Sequence, residues 1–207
     1  MGFVRRYWNW FIRFPYRCGY GIHSPSDFFL VTSVVYERLP YYAYEELQKT
    51  HFAVSLPHYR KKVNRLLFRL VNYLRPQLLV EVGNESGASF SYMRAAHPSM
   101  DSYAIKSENK EYILDKLEEY VHKNHGLDML HIGHTPYYKE IFERTLSYVS
   151  EQSCFIIGCP YQDNEKKEWW KQLQKDDRVS ITFDLYDIGL VFFDKKRIKQ
   201  NYIINFL

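Results

Sequence analysis

The sequence is poor in cysteine and lacks a long apolar run. Cys18, Cys154 and Cys159 are the only cysteines in 207 residues, and an odd number without paired spacing argues against both a disulfide framework and a zinc site. No stretch approaches the roughly 18 to 20 apolar residues of a membrane helix. Arg5 and Arg6 interrupt the apolar N-terminus where a signal peptide would carry its hydrophobic region. We therefore expect reduced thiols and a cytoplasmic protein without a transmembrane segment.

Several catalytic motifs are absent as well. There is no G-x-S-x-G elbow, no H-E-x-x-H helix and no P-loop, which excludes the commonest hydrolases, metalloproteases and nucleoside triphosphatases. His131 and His134 lie three residues apart, but no third ligand has suitable spacing, so we predict no metal site. Cys159 precedes Pro160 at a predicted strand end, where it is either a nucleophile or a buried small residue. Because no neighbour in sequence activates it, we favour the buried residue.

The residues that are present suit one hydrophobic core with a basic N-terminal part. The chain is 46% hydrophobic and 25% charged, enough for a single substantial core. Its formal net charge of +4 hides an asymmetry, because residues 1–75 hold 12 Lys and Arg against 4 Asp and Glu. Such an excess favours an anionic partner, or it only reflects solvated helix faces.

Residues 1–57 are predicted to form a helical extension that packs on the core. Within it, residues 3–14 suit a short amphipathic helix in which Arg alternates with Trp and Phe. Such a helix meets a membrane surface or nucleic acid, or serves as a substrate lid or a self-association arm. We favour the last two, with homo-oligomers formed through this aromatic segment and no strong nucleic-acid signal. A second helix is expected over 25–39, and His23 before it is either a general base or part of a capping motif.

Residues 58–207 alternate between helical and strand patterns. A basic amphipathic helix over 58–74 is followed by the apolar strand Leu78 to Val82, which Gly83 ends. Further helices are predicted over 88–96, 109–124, 137–150 and 164–175, and further strands over 102–106, 128–132, 153–158, 178–185, 188–194 and 201–206. This order predicts a Rossmann-like α/β sandwich of three layers, with a mostly parallel sheet and a C-terminal antiparallel hairpin.

A glycine turn follows the first strand at residues 81–89, EVGNESGAS. In open α/β sheets the carboxyl end of such a strand is where ligands bind. Two glycines allow a sharp turn and close approach of a ligand to the backbone, and the next helix offers free N–H groups. A turn of this kind also occurs for purely structural reasons, so its chemistry depends on what surrounds it.

The spacing E-x-G-x-x-x-G-x-S resembles motif I of class I S-adenosylmethionine-dependent methyltransferases, in their catechol O-methyltransferase-like branch. The segments GYGIHSPSDFFL and ITFDLYDIGLVFF resemble an uncharacterised bacterial group of this family, so that the resemblance covers about residues 16–207. It implies S-adenosylmethionine as the cofactor. By position it implies Glu81, Gly83, Gly87 and Ser89 as contacts of the cofactor, and we predict Asn84 and Glu108 as further cofactor-binding residues.

The sequence departs from that family at the places that complete the pocket. The second strand ends in Lys106, where the family has an acid that binds the ribose, so Glu108 replaces that acid only if its loop shifts. The acidic stretches that follow the next two strands in relatives are replaced by 132–135 (IGHT) and 157–161 (IGCPY). Without those carboxylates we reject a Mg²⁺ site. The interval after the second strand also has room for one helix only, which predicts a shortened domain.

Two functions remain open from the sequence. One is metal-independent methyl transfer to an unknown acceptor, a reaction that depends chiefly on proximity and orientation and needs no conspicuous catalytic residue. The other is a catalytically inactive methyltransferase-fold domain that acts as a binding or assembly module. The resemblance assigns no catalytic residue.

Overall fold

The structure, a computed structural model, describes residues 3–50, 59–83 and 87–207, and the side chains of all but 3–5 and 50 among them. Their strands form one seven-stranded sheet of order β2-β1-β3-β4-β6-β5-β7. The strands are β1 Leu78–Val82, β2 Asp101–Ile105, β3 Met129–Ile132, β4 Cys154–Gly158, β5 Ile181–Asp184, β6 Ile188–Phe192 and β7 Gln200–Ile203. The helices are α1 Phe3–Ile12, α2 Pro25–Phe29, α3 Ala43–Thr50, α4 Lys61–Leu74, α5 Ala88–Ala96, α6 Lys110–Asn124, α7 Tyr138–Thr145 and α8 Asn164–Leu173.

The sheet is mostly parallel, as the sequence predicts. Strands β1 to β4 pair in parallel. Among the described strands only β6 runs in the opposite direction, and it pairs antiparallel with both β4 and β5. The predicted terminal hairpin is therefore β5–β6. The strand predicted over 201–206 corresponds to β7, which pairs in parallel with β5 at the edge of the sheet. Residues 106–128 contain the single helix α6, and β2 forms the opposite edge.

Helices cover both faces of the sheet. Successive side chains of a strand point to opposite sides, so the apolar strands give each face an apolar surface that helices bury. Leu79 of β1 packs in the cluster built by α4, α5 and the N-terminal helices. Its neighbours Leu78 and Val80 pack in the cluster built by α6, α7 and α8. Two apolar layers on one doubly covered sheet give the Rossmann-like sandwich. No helix of the described ranges is long and apolar enough to cross a membrane.

The helix predicted over 25–39 is shorter and less regular than expected. Helix α2 continues into a π-helix, Leu30–Val35, in which the Tyr36 N–H donates to Val31 O at 3.0 Å. The buried guanidinium of Arg69 then donates to Val34 O at 2.6 Å and to Val35 O at 2.9 Å. Those carbonyls accept from a side chain of α4 in place of the next backbone N–H groups, which ends the helix before the predicted Leu39.

Helix α1 packs on the β5–β6 turn of its own chain. Arg6 forms two hydrogen bonds to the Asp187 carboxylate, of 2.8 and 2.6 Å. Arg13 forms an ion pair of 2.9 Å with Asp184, whose side chain is 3% exposed. The opposite side of α1 leaves Trp8 and its neighbours exposed to solvent. The N-terminal segment therefore presents Arg6 and Arg13 to the core and several aromatic rings outward.

Candidate functional site

The carboxyl ends of β1, β2 and β3 open into a cleft, here called the crevice, with a cavity volume of about 590 Å³. It is lined by Gly83, Lys106, Ser107, Glu108, His134, Thr135, Pro136 and Tyr137. The strand register places Val82, Ile105 and Ile132 side by side, so the loops that follow them meet at one edge. This is where α/β sheets bind ligands, and the volume lies within the usual 300 to 1,000 Å³ or so of ligand pockets.

Gly83 is required at the base of the crevice for two reasons. Its φ of +82° is a conformation that glycine adopts without strain. A Cβ at this position would also lie 2.5 Å from His134 O and 2.8 Å from Thr135 Cβ. The loop after β3 therefore packs directly on the turn after β1, and it occupies part of the space above Gly83.

Lys106 spans the crevice from β2 to the start of α5. Its Nζ lies 3.2 Å from the position that a Cβ of Gly87 would take, and Gly87 has a φ of +67° at the N-terminus of α5. Glu108, which is exposed, lines the same cleft. Asn84, which the sequence predicts as a cofactor-binding residue, lies outside the described residues, so its role stays a prediction.

Two predicted cofactor residues are buried and do not line the crevice. Ser89 is 2% exposed within α5, and Glu81 is 1% exposed on β1. The Glu81 Oε2 atom accepts a hydrogen bond of 2.7 Å from His131 Nδ1, and the Tyr59 hydroxyl lies 3.0 Å from His131 Nε2. Since Glu81 and His131 face each other in the β1–β3 register, this contact joins the two central strands inside the sheet.

His134 connects the crevice to a second polar group at the end of β4. Its Nε2 lies 3.8 Å from the Cys159 Sγ atom, and its ring stacks on Tyr59 with 6.5 Å between centroids. Burial lowers the pKa of His134, and the positive charge of Lys166 lowers it further, although a hydrogen bond with Gln162 opposes them. The imidazole is therefore uncharged at neutral pH and is able to accept a proton.

Cys159 is held in the left-handed region, at a φ of +46°, directly after β4. Burial raises the pKa of its thiol, which keeps the sulfur protonated and weakly nucleophilic. The preference for a buried small residue over a nucleophile agrees with this environment, although the side chain is only half-buried.

Lys166 is a buried amine that sequence reasoning missed. It is 1% exposed, its Nζ has no hydrogen-bond partner in the described part of the chain, and it lies 5.0 Å from the centroid of the Tyr138 ring. Burial lowers its pKa. A signal existed in the sequence, because Lys166, Trp170 and Leu173 recur at the spacing of one buried helix face.

The described residues contain no group of three His, Cys, Asp or Glu side chains able to hold a metal ion. His131 faces Glu81 inside the sheet while His134 faces the crevice, so the two imidazoles belong to different environments. His23 is exposed and does not line the crevice.

This sheet order and crevice define the α/β Rossmann-like methyltransferase fold. In fold the chain is similar to a methyltransferase from Geobacter sulfurreducens, at 14% identity and a TM-score of 0.54 over 76% of this chain and 92% of that one. It is also similar to an O-methyltransferase from Bacillus cereus solved in complex with SAH, at 15% identity and a TM-score of 0.54 over 77% of this chain and 95% of that one. A third similar structure is the O-methyltransferase TomG from Streptomyces achromogenes, solved in complex with SAM. Its identity is 15% and its TM-score 0.50, over 75% of this chain and 91% of that one. No protein-family model and no curated protein matches the chain.

Proposed function

We propose that the crevice binds S-adenosylmethionine and that the chain is a metal-independent methyltransferase. The observation that carries the proposal is the crevice itself, a cavity of about 590 Å³ at the carboxyl ends of β1 to β3, with a positive-φ glycine at its base and a carboxylate at its rim. Two solved proteins of the same fold were determined with SAH or SAM bound.

The residues present fit such a ligand in part. Glu108 is the carboxylate in the crevice that would accept hydrogen bonds from ribose hydroxyls. Gly83 and Gly87 would let the backbone approach the ligand. When bound, the cofactor supplies a methyl group on a sulfonium cation. His134, uncharged at neutral pH, would accept the proton that an O–H or N–H acceptor gives up.

A second candidate function is a cofactor-free binding or assembly module. Lys106 favours it, because its ammonium occupies the crevice beside Gly87 and would repel a sulfonium cation. The packing of His134 and Thr135 on Gly83 favours it too, since it takes up space above the turn. In this case the site of this chain is degenerate and the fold persists without the chemistry.

Isothermal titration with S-adenosylmethionine and S-adenosylhomocysteine separates the two functions. The methyltransferase is expected to bind both at micromolar strength, and a Gly87→Arg variant to bind at least about tenfold more weakly, because the new side chain fills the crevice beside Lys106. The control is Gly21→Arg. Gly21 has a similar φ of +79° with nothing within 4 Å of its Cβ position, so the backbone strain is matched.

The outcomes are clear-cut. If wild-type protein shows no heat at millimolar ligand, cofactor binding is refuted and the module function stands. If Gly87→Arg and Gly21→Arg bind alike, the ligand lies somewhere other than the crevice.

We also propose homo-oligomers formed through the outward face of α1. Trp8 and Phe11 are each 69% exposed on it. When two such aromatic faces associate, their apolar surface is removed from water. Sedimentation velocity over a range of concentrations is expected to show dimers for wild type and monomers for Trp8→Glu. A wild-type protein that stays monomeric at the highest concentration contradicts this proposal.

A further inference from the structure

A cavity of about 370 Å³ away from the crevice, here called the basic pocket, collects most of the unbalanced positive charge of the chain. Its charged side chains are Arg17, Arg38, Lys62, Arg65, Arg69 and Glu37. Five cations against one carboxylate equal the formal net charge of the whole protein, +4. Outside this pocket the 23 remaining Lys and Arg are balanced by 23 Asp and Glu.

Three of the cations share one face of α4. Lys62, Arg65 and Arg69 follow at the i, i+3, i+7 spacing of a helix stripe. Arg69 is fixed structurally, because it donates to two carbonyls of the π-helix and lies 3.9 Å from Glu37. The Glu37 carboxylate also accepts from the Tyr41 hydroxyl. The one acid of the basic pocket is therefore already engaged and does not neutralise the other four cations.

Those four cations have no carboxylate partner within 4 Å among the described residues. Lys62 and Arg65 lie over aromatic rings instead, at 4.6 Å from the centroid of Phe206 and 4.7 Å from that of Tyr44. The Nε atom of Arg65 is buried and has no hydrogen-bond partner in the ranges that the structure describes. A buried donor without a partner is costly unless a ligand satisfies it.

Lys62 is also held partly away from water, since the residue is half-buried. Burial lowers its pKa from 10.5 to about 8, with a further decrease from Arg6 that the charge of Asp187 opposes. An ammonium held partly away from water is stabilised when an anion enters beside it. The charge and the burial of this side chain both favour an anionic ligand.

An apolar groove adjoins the basic pocket. This Trp10 groove has a volume of about 400 Å³ and is lined by Arg6, Tyr7, Trp10, Phe11, Arg60 and Leu207. Trp10 and Leu207 line both cavities, so the two lie side by side. A molecule held by its charge in the basic pocket therefore has an aromatic surface next to it.

We propose that the basic pocket binds a phosphate monoester whose apolar portion lies in the Trp10 groove. A phosphate dianion offers several acceptor oxygens, which suits arginines that donate in a fork and a neighbouring lysine. The apolar portion packs on the Trp10 ring. This site is separate from the crevice and does not depend on cofactor binding there.

Titration of the full chain with octyl phosphate tests the proposal, with octyl glucoside as the neutral probe of equal chain length and inorganic phosphate as the probe without an apolar portion. Octyl phosphate is expected to bind at least about tenfold more tightly than either. Arg65→Gln and Arg38→Gln are expected to weaken it by a similar factor. Lys110→Gln removes an exposed cation of α6 that lies outside the basic pocket, and it should leave binding unchanged.

Arg38 is exposed and makes no ion pair in the described structure, so its variant will fold even if Arg65→Gln does not. Vesicles of phosphatidylcholine with and without phosphatidic acid identify the source of the phosphate. Co-sedimentation with the acidic vesicles supports a lipid headgroup, and octyl phosphate binding without co-sedimentation supports a free phosphate ester. Equal binding of octyl glucoside, or unchanged octyl phosphate binding by both variants, overturns the proposal.

Discussion

Replacing Arg13 by methionine is expected to lower the free energy of unfolding by about 3 to 5 kcal/mol, because it leaves a buried carboxylate without its cation. The Arg13 guanidinium lies 2.9 Å from Asp184 Oδ1 and donates to the Tyr161 hydroxyl at 3.1 Å. Asp184 also accepts hydrogen bonds from the Tyr161 hydroxyl and, at 3.4 Å, from Trp170 Nε1. Urea denaturation followed by circular dichroism measures the loss.

Arg178→Met is the matched control. Arg178 pairs with Glu143 and Asp176 at 2.7 and 2.6 Å, but all three side chains reach solvent, so the loss should stay below about 1 kcal/mol. Limited proteolysis should also cut α1 faster in the Arg13 variant than in the control. If both variants lose the same free energy, the Arg13–Asp184 pair is not what fixes α1 to the core.

The parts of the fold that the sequence predicted correctly are those with a local signal. The apolar run from Leu78 to Val82 ends at a glycine, and the structure has β1 with those bounds. The α4 pattern and the space for one helix between β2 and β3 are equally local, and both are confirmed. The prediction of a helix up to Leu39 was wrong, because Arg69 donates hydrogen bonds to the last carbonyls of the helix. Arg69 lies 34 residues beyond Val35 in sequence, so no local pattern shows this contact.

The polar contacts between residues distant in sequence were not predictable in the same way. Arg13 and Asp184 are 171 residues apart, so only the folded chain shows that they pair. Glu81 matched a cofactor motif by its spacing, yet its carboxylate contacts His131 on the next strand. A signal was present: Glu81 and His131 each interrupt an otherwise apolar buried strand, and two such residues in neighbouring strands predict a pair.

Replacing His131 by leucine is the second change with a large expected effect, a loss of about 3 kcal/mol or more in the free energy of unfolding. His131 is fully buried, and its ring joins Glu81 at 2.7 Å and Tyr59 at 3.0 Å. The substitution removes both contacts while Glu81 stays inside the sheet. Glu81→Met should cost about 1 to 3 kcal/mol, since His131 keeps Tyr59.

The double variant Glu81→Met/His131→Leu distinguishes a structural pair from two independent residues. Apolar side chains of similar volume replace a buried polar pair at little cost, so the double variant should be more stable than the sum of the single losses predicts, by about 1.5 to 3 kcal/mol. Purely additive losses would contradict the pairing. Glu81→Gln completes the test, because it keeps the shape of the side chain. If this variant folds normally but no longer binds an S-adenosylmethionine that wild type binds, Glu81 serves the cofactor; if binding is unchanged, the motif glutamate of this chain holds β1 to β3.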